Sequence, residues 1–528
     1  MLLFLYDQRP VDSSPRRTSR SAALVAIGIL CSRLTGLIRQ HVFARYFGLS
    51  DSADAFMAAF RIPNFLQNLF GEGALSASFI PVYAALLARG EREEATRVAG
   101  AVAAILALVT SVLVLLGVWT TPLLIAVIAP GFDGDKRDLT IALVRILFPG
   151  AGLLVLSAWC LGILNSHHRF LLSYTAPVLW NVAMIATLLF WGSRTALPEL
   201  AWLLAWGSVA GSALQFVVQL PVIMKLVPGL KFRIDLSPHV RTTVRNFVPV
   251  FVSRGVVQIS AYVDALLASL LPTGAVTGLA NAQLLYTLPV SLFGMSVSAA
   301  ELPAMSGAVG LDSTDLLRER LNNGLRQIAF FVVPSAVAFL ALGDVIAAAL
   351  LQTGRFTHEN ALFVWGILAG SAVGLLASTL GRLYSSTYYA LRDTRTPLRY
   401  AVIRVILTTV LGYVAAVLLP PFLGLDLLWG TAGLTASAGV SGWVEFLLLR
   451  RTLNKRLGHT GLPASLTMRL WAAAALGAAV ALGVKLVSPI DHPIVAAVMV
   501  LTPYGVIYLG LTVVFQVPEA KRTIDRFL

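Results

Sequence analysis

The chain has 528 residues, of which 57% are hydrophobic and only 12% are charged. Soluble domains carry roughly 25% charged residues because their surface faces water, so this composition excludes a soluble protein and fits a chain surrounded by lipid. The net charge of +14 does not indicate nucleic-acid binding, because the basic residues lie in short loops between apolar runs and not on a soluble domain.

Apolar runs follow one another from Ser21 to the C-terminus, and each is long enough to cross a bilayer as a helix of about 20 residues. The predicted spans are 21–47, 53–88, 96–128, 139–165, 173–192, 198–224, 242–271, 277–309, 316–350, 359–390, 398–420, 427–450, 468–488 and 493–515. The sequence therefore predicts an all-α integral membrane protein with about fourteen transmembrane helices.

Basic residues are concentrated in alternate loops. Arg16 and Arg17 precede the first span, and Lys521 and Arg522 follow the last. Loops rich in arginine and lysine remain in the cytoplasm, so both termini are predicted to be cytoplasmic. Residues 1–20 are predicted to be a disordered cytoplasmic tail.

A weak internal repeat suggests how the spans are grouped. Ser32-Arg33 in the first span has a counterpart in Ser253-Arg254 of the seventh, six spans later. We predict two six-helix lobes in a pseudo-twofold arrangement, followed by a C-terminal helix pair. The predicted N-lobe covers 21–230, the C-lobe covers 231–455 and the helix pair covers 456–528. Transporters often place their substrate site between such halves.

Ionisable side chains at membrane depth cost a few kcal/mol each and therefore indicate function. The first two spans hold Arg33, Arg39, Asp54, Arg61 and Glu72. The spacing of the last three puts them on one face if the helix is continuous, although Pro63 could kink the helix and Gly71 and Gly73 could loosen it. The excess of arginine favours an anionic substrate such as a phosphate or pyrophosphate group, which guanidinium groups bind bidentately. The alternatives are arginines that snorkel to an interface or form structural ion pairs.

The predicted C-lobe contains fewer such groups. Arg254 and Asp264 are about 80° apart around their helix and could line one cavity. Asp264 and Glu301 could bind a coupling cation or proton, although structural ion pairs explain them almost as well. No catalytic residue, metal site or cofactor is predicted, because the sequence contains neither a P-loop nor a metal-ligand spacing of histidines and acids.

Residues 32–83 carry the most distinctive motif of the chain, with further motifs at 129–132, 162–170, 352–357 and 393–397. This set resembles the MurJ/MviN lipid II flippases, which belong to the multidrug/oligosaccharidyl-lipid/polysaccharide exporter superfamily. The resemblance runs along nearly the whole chain. It implies a bacterial inner-membrane protein that moves lipid II, an undecaprenyl-diphosphate-linked saccharide, from the cytoplasmic to the periplasmic leaflet by alternating access.

The resemblance also implies roles for the charged residues of the first two spans. By position, the cavity arginines of the family match Arg33 and Arg39. The charged positions of span two match Asp54, Arg61 and Glu72. The expected partners are lipid II, membrane lipids and cell-wall synthesis proteins.

Two departures from the family pattern leave the exact lipid-linked cargo open. Gln67 and Asn68 stand where many members have basic residues, and Leu284 stands where members have an arginine. Arg254 is a candidate replacement for that charge. The alternatives are an exporter of the same superfamily with another cargo, either an O-antigen-type flippase or a drug/cation antiporter, and a non-transporting membrane scaffold.

Overall fold

The computed structural model describes residues 15–311, 313–487 and 491–521, without the side chains of 15–27, 72, 249–250 and 252–261. The described residues are helical nearly throughout, and the β-structure among them is an isolated bridge between Thr353 and Phe356. The prediction of an all-α protein is confirmed. The predicted tail lies outside the described residues up to position 14, and the first helix begins at Pro15, before the predicted Ser21.

The first ten helices cover the predicted spans one to seven. They are α1 (Pro15–Phe47), α2 (Asp51–Phe70), α3 (Glu72–Ser78), α4 (Ile80–Ala88), α5 (Arg92–Ile128), α6 (Gly134–Ser166), α7 (Phe170–Trp191), α8 (Leu197–Val217), α9 (Leu220–Leu226) and α10 (Pro238–Ser269).

Ten further helices cover the predicted spans eight to fourteen. They are α11 (Ala275–Pro289), α12 (Ser296–Gly310), α13 (Thr314–Ala341), α14 (Gly343–Leu351), α15 (His358–Ala390), α16 (Arg395–Tyr413), α17 (Leu419–Phe422), α18 (Gly430–Leu457), α19 (Ala464–Val487) and α20 (Pro493–Val514). Short π-helical turns at Val290–Met295 and Val414–Leu418 connect α11 to α12 and α16 to α17.

Twelve segments of the described chain are long and apolar enough to cross a membrane. Helices α1 and α10, which correspond to the predicted spans one and seven, are not among the twelve. The chain is therefore a multi-pass membrane protein, and the count of fourteen spans is approximate. The ninth predicted span, 316–350, was expected to be one helix but is divided into α13 and α14 at Leu342.

The second predicted span is interrupted at Gly71, whose backbone is extended, with φ −76° and ψ −156°. A Cβ atom at this position would lie 2.3 Å from the carbonyl oxygen of Gln67, so only glycine fits without a shift of the backbone. The condition for a shared face of Asp54, Arg61 and Glu72, a continuous helix, is therefore not met. Asp54 and Arg61 share α2, whereas Glu72 begins α3.

The chain forms two compact units that do not follow chain order. The first contains Met1–Phe43, Ala59–Leu124 and Leu139–Gln258, and the second contains Ala44–Ala58, Ile125–Asp138 and Ile259–Leu528. The boundaries fall inside long helices, so α1, α2, α5, α6 and α10 each contribute to both units. The two six-helix lobes with an appended helix pair remain a prediction.

Aromatic side chains form much of the core of the first unit. Phe79, Tyr83 and Trp159 are at most 1% exposed, and the Trp159 indole N–H donates to the Ala99 carbonyl oxygen at 3.2 Å. The ring of Phe79 stacks on that of Tyr83 at 5.2 Å. A buried indole needs such an acceptor, because an unpaired polar group in an apolar interior costs free energy.

In the second unit, α20 packs against α13 through a hydrogen bond that compensates for a proline. Pro334 has no N–H, so the carbonyl of Phe330 loses its donor within α13. The hydroxyl of Tyr508 donates to that carbonyl at 2.5 Å, and Tyr504 donates to the Pro334 carbonyl at 2.6 Å. In lipid, freed backbone groups must find such partners within the protein, so these bonds fix the C-terminal helix on α13.

Candidate functional site

The guanidinium of Arg39 in α1 lies against two aromatic rings of the first unit. Its central carbon is 4.8 Å from the ring centroid of Trp180 in α7 and 6.0 Å from that of Phe60 in α2. The two rings stack on each other at 5.7 Å with an interplanar angle of 20°. Aromatic faces attract cations through their quadrupole, so rings from two other helices hold this arginine without using an acidic residue.

Trp180 is itself held in place by α8. Its indole N–H donates to the Ser208 hydroxyl at 3.2 Å. A Cβ atom on Gly211 would lie 3.0 Å from the Trp180 carbonyl oxygen, and one on Gly207 would lie 2.2 Å from the Thr187 hydroxyl. Small residues let α7 and α8 approach closely, which is common in membrane helix pairs. The indole under Arg39 is therefore held by a close contact between α7 and α8.

The charge of Arg39 is not neutralised by any described side chain. Its one polar contact is from Nη1 to the sulfur of Met184 at 3.9 Å, and a thioether is a weak acceptor. No ion pair joins it to a carboxylate among the residues whose side chains are described. Arg39 can therefore offer its positive charge and N–H groups to an anion.

Asp54 in α2 lies in a different environment, within the second unit. Its carboxylate accepts hydrogen bonds from the backbone N–H of Gly274 and of Thr277, both at 2.8 Å, and from the Thr277 hydroxyl at 2.7 Å. Nζ of Lys136 completes the set at 2.9 Å. The side chain is 1% exposed, so four donors surround a fully buried carboxylate.

These donors identify Asp54 as the cap of α11. Gly274 precedes that helix in a left-handed conformation with φ +94° and has no side chain to accept its first N–H groups. Asp54 supplies the missing acceptor from another helix, and its charge suits the positive end of the helix dipole. Lys136 also pairs with Asp51 at 2.9 Å. Because these four donors satisfy the Asp54 carboxylate, its role is structural: it holds the start of α11 in place.

The remaining candidates of the first two spans differ in burial. Arg33 in α1 is exposed, and Arg61 in α2 is half-buried. The side chains of Glu72 and Arg254 lie outside the described ones, so their predicted roles stay predictions. Arg33 lies beside exposed Leu34, which is 50% exposed, as expected for a helix face that meets lipid or a cavity.

The two candidates for ion coupling lie in the second unit. Asp264 in α10 and Glu301 in α12 are both half-buried. Oε2 of Glu301 is buried without a hydrogen-bond partner among the described atoms. Within the described part of the chain, no three His, Cys, Asp or Glu side chains are grouped so that they could hold a metal ion.

Sequence reasoning missed Trp180, Phe60, Lys136 and Thr277. It selected residues by charge inside the spans, so neutral aromatic and hydroxyl partners were not considered. One signal was available for the α11 cap: Thr273-Gly274 precedes a helix whose first turn has no acidic residue, so the acceptor had to come from elsewhere. No local signal could have joined Arg39 to Trp180, because 140 positions separate them.

Comparisons with known proteins agree with this fold. The family model of the lipid II flippase MurJ matches residues 43–502. A lipid II flippase MurJ from Burkholderia cenocepacia is 34% identical over 81% of this chain and 82% of its own length. A probable lipid II flippase MurJ from Rhizobium meliloti is 31% identical over 94% of this chain and 92% of its own.

Solved structures extend the similarity. A lipid II flippase MurJ in an inward closed conformation superposes with a TM-score of 0.76 at 25% identity, covering 93% of this chain and 98% of that one. An inward-facing multidrug resistance MATE family transporter shares the fold, with a TM-score of 0.66 at 17% identity over 84% of this chain. By the extent of its match to the family model and to these relatives, the chain belongs to the lipid II flippase MurJ family.

Proposed function

We propose that this protein is a lipid II flippase of the bacterial inner membrane, which moves the undecaprenyl-diphosphate-linked saccharide from the cytoplasmic to the periplasmic leaflet by alternating access. Family membership supports the substrate class, and the transporter fold supports the mechanism. The observation that supports the substrate site is the environment of Arg39: its guanidinium lies on two aromatic rings and has no acidic partner among the described side chains.

This geometry suits a diphosphate group. A guanidinium whose face lies on an indole keeps its in-plane N–H groups available, and these match two phosphate oxygens at once. The interaction is stronger away from bulk water, because the local dielectric constant is lower. Arg39 would therefore hold the diphosphate, and Arg33 and Arg61 would add positive charge around it, while the polyprenyl chain remains in lipid.

We further propose that Glu301 carries the coupling cation or proton, with Asp264 as the second candidate. A carboxyl oxygen buried without a partner is unfavourable, and either a proton or a cation would relieve the cost. Replacement of Glu301 with Gln is then expected to preserve binding of lipid II while removing the dependence of transport on the ion or proton gradient.

The loop charges support the proposed orientation, with both termini in the cytoplasm. Arg16 and Arg17 lie in the first turn of α1, and Lys521 follows α20, which is the distribution of basic residues found on the cytoplasmic side of membrane proteins. Reaction of a single introduced cysteine near Lys521 with a membrane-impermeant reagent tests this in whole cells. Labelling only after the membrane is opened agrees with the proposal, and labelling of intact cells contradicts it.

The function is tested by complementation in a bacterium depleted of its own lipid II flippase. Expression of this chain should restore growth and the exposure of lipid II on the periplasmic face. The Arg39→Ala variant should be present in the membrane at the normal level yet fail to restore either. If the unaltered chain inserts at the normal level and exposes no lipid II, the proposed cargo is wrong.

A further inference from the structure

The segment between α9 and α10 presents apolar and charged side chains in alternation, with two basic residues and one acidic residue. From Lys231 the sequence reads Lys-Phe-Arg-Ile-Asp-Leu, without a helix. Its apolar side chains are unusually exposed, with Phe232 at 64%, Ile234 at 55% and Leu236 at 57%. Residues 228–237 are called the connector below. In a membrane protein, exposed apolar side chains next to basic ones are typical of the boundary between lipid and water.

The connector is fixed on the first unit. A Cβ atom on Gly100 in α5 would lie 2.1 Å from the Lys231 carbonyl oxygen, so glycine is needed for this close approach. The ring of Phe232 packs at 6.3 Å from that of Trp159. At its two ends, Val227 and Val240 are 2% and 0% exposed. The outward apolar side chains therefore belong to an ordered segment, and their exposure requires a partner.

A cavity opens where the connector enters α10. Its volume is about 440 Å³, and it is lined by Leu236, Pro238, Arg241, Thr242 and Arg245. The two arginines are one helical turn apart on the same face and are both exposed. Neither forms an ion pair or a side-chain hydrogen bond with any described residue, and Val244 and Val248 continue the exposed apolar surface along α10 at 43% and 54%.

We propose that this cavity binds the phosphate of an anionic phospholipid, with Arg241 and Arg245 on the phosphate oxygens and the acyl chains along the exposed apolar side chains of the connector and α10. Guanidinium groups bind phosphate bidentately, and the first turns of α10 add the positive end of the helix dipole. The group that the two arginines would bind is a phosphodiester, which carries one negative charge. The adjoining apolar surface favours a lipid over free phosphate. The acyl chains of a lipid would cover this surface, whereas a soluble anion would leave it exposed.

The site is separate from the one proposed for transport, because it shares no residue with the cluster around Arg39. It assigns a function to the stretch that joins the two predicted lobes, whose basic residues were otherwise explained by membrane orientation alone. A bound lipid would fasten this stretch to the membrane surface.

The test measures lipid binding to the full-length purified protein in a neutral detergent by native mass spectrometry. Phosphatidylglycerol and phosphatidylcholine are titrated separately, because both contain phosphate but only the first has a net negative charge. The Arg241→Gln/Arg245→Gln variant should bind phosphatidylglycerol about 25-fold more weakly at its tightest site, since each basic residue near an anionic surface contributes about a fivefold factor. Binding of phosphatidylcholine should not change.

A matched control is available in α18. Arg451 and Lys455 have the same spacing, are exposed and have no ion-pair partner among the described residues. The Arg451→Gln/Lys455→Gln variant removes the same charge and should retain the tight phosphatidylglycerol site. An equal loss in both variants would mean that net charge attracts the lipid, and it would overturn the proposal, as would no loss in the first variant.

Two further experiments complete the test. Competition with inorganic phosphate distinguishes a lipid site from a phosphate site, and a lysine variant distinguishes loss of binding from misfolding. Inorganic phosphate at millimolar concentration should not displace phosphatidylglycerol from the unaltered protein; displacement at that concentration would contradict a lipid site. The Arg241→Lys/Arg245→Lys variant retains charge and folding but loses the planar fork, so it should bind with intermediate affinity. Affinity equal to that of the glutamine variant, in protein with an unchanged unfolding temperature, would contradict a charge-based site.

Discussion

Asp54 and Arg39 are both ionisable residues of the first two membrane helices, but their surroundings are opposite. The Asp54 carboxylate is surrounded by four donors from Gly274, Thr277 and Lys136 at 2.7 to 2.9 Å. The Arg39 guanidinium rests on Trp180 and Phe60, and its one polar contact among the described side chains is with a thioether sulfur. One charge is satisfied by the fold, and the other is held in place without being neutralised.

The difference shows that the partners of a buried charge indicate its role better than its burial does. A buried charge with a complete set of partners stabilises the structure that supplies them. A partly buried charge such as Arg39 without an opposite charge costs free energy, and such a cost is retained where function requires it. Asp54 is therefore interpreted as an anchor for α11, and Arg39 as the group that meets the substrate.

The largest effect is expected on the free energy of unfolding when Asp54 is substituted. Asp54→Ala leaves two backbone N–H groups and one hydroxyl without an acceptor and removes one of the two carboxylates that pair with Lys136, so the free energy of unfolding should fall by about 3 kcal/mol or more. Thermal unfolding of the purified protein measures this loss. Faster hydrogen exchange at the Gly274 and Thr277 amides would place it at the start of α11.

A control variant separates the hydrogen bonds of Asp54 from its charge. Asp54→Asn retains an acceptor for the α11 amides but loses the pairing with Lys136. Its stability should lie between that of the unaltered protein and that of Asp54→Ala. A stability of Asp54→Ala equal to that of the unaltered protein would contradict the anchor.

The second prediction concerns Arg39. Arg39→Gln should weaken the binding of lipid II by about 100-fold, which corresponds to the loss of about 3 kcal/mol for a buried charge-assisted contact. The free energy of unfolding should stay the same or rise, because the variant removes an uncompensated charge. Native mass spectrometry with lipid II gives the affinity. Unchanged affinity in the folded variant would exclude Arg39 from the substrate site.

A smaller effect is expected at Trp180, which positions Arg39. Trp180→Leu removes the cation–π contact and the hydrogen bond to Ser208, so lipid II should bind about fivefold more weakly, for a loss of about 1 kcal/mol. Trp180→Phe keeps an aromatic face and should recover most of the affinity. If leucine and phenylalanine weaken binding equally, the aromatic face does not hold the guanidinium.

The sequence predicted the class of fold and nearly every helix, because long apolar runs and loop charges report directly on the membrane. It indicated Gly71 as a weak point of the second span but did not predict a full break there, which depends on the approach of the Gln67 carbonyl to a glycine. It also selected Asp54 and Arg39 by the same argument, since both are charges within spans. Only the three-dimensional partners distinguish them, and Gly274 and Thr277 lie more than two hundred positions from Asp54.

The smallest expected effect concerns a polar pair whose hydrogen bond depends on pH. His167, in the loop after α6, lies 3.0 Å from the Tyr83 hydroxyl. Burial lowers the pKa of His167, and the positive charges of Arg92, His168 and Arg169 lower it further. The unfolded state, with a pKa of about 6.5, therefore binds a proton first, so stability is present above that pH and falls as the pH decreases through it.

Unfolding temperatures measured between pH 7.5 and pH 5 test this dependence. His167→Gln should reduce the loss of stability at low pH, whereas His168→Gln, at the exposed neighbouring position, should retain most of it. The same pH dependence in all three proteins would show that His167 is not its source.

The central claim is that the groups in contact with a charged residue distinguish a structural charge, Asp54, from a functional one, Arg39. One paired measurement tests this claim most directly. Lipid II affinity and unfolding temperature are measured together for Asp54→Asn and Arg39→Gln. We predict that Asp54→Asn lowers the unfolding temperature while the folded protein keeps its affinity, and that Arg39→Gln lowers the affinity without lowering the unfolding temperature. The reverse result, with Arg39→Gln destabilised and Asp54→Asn deficient in binding, would contradict the account.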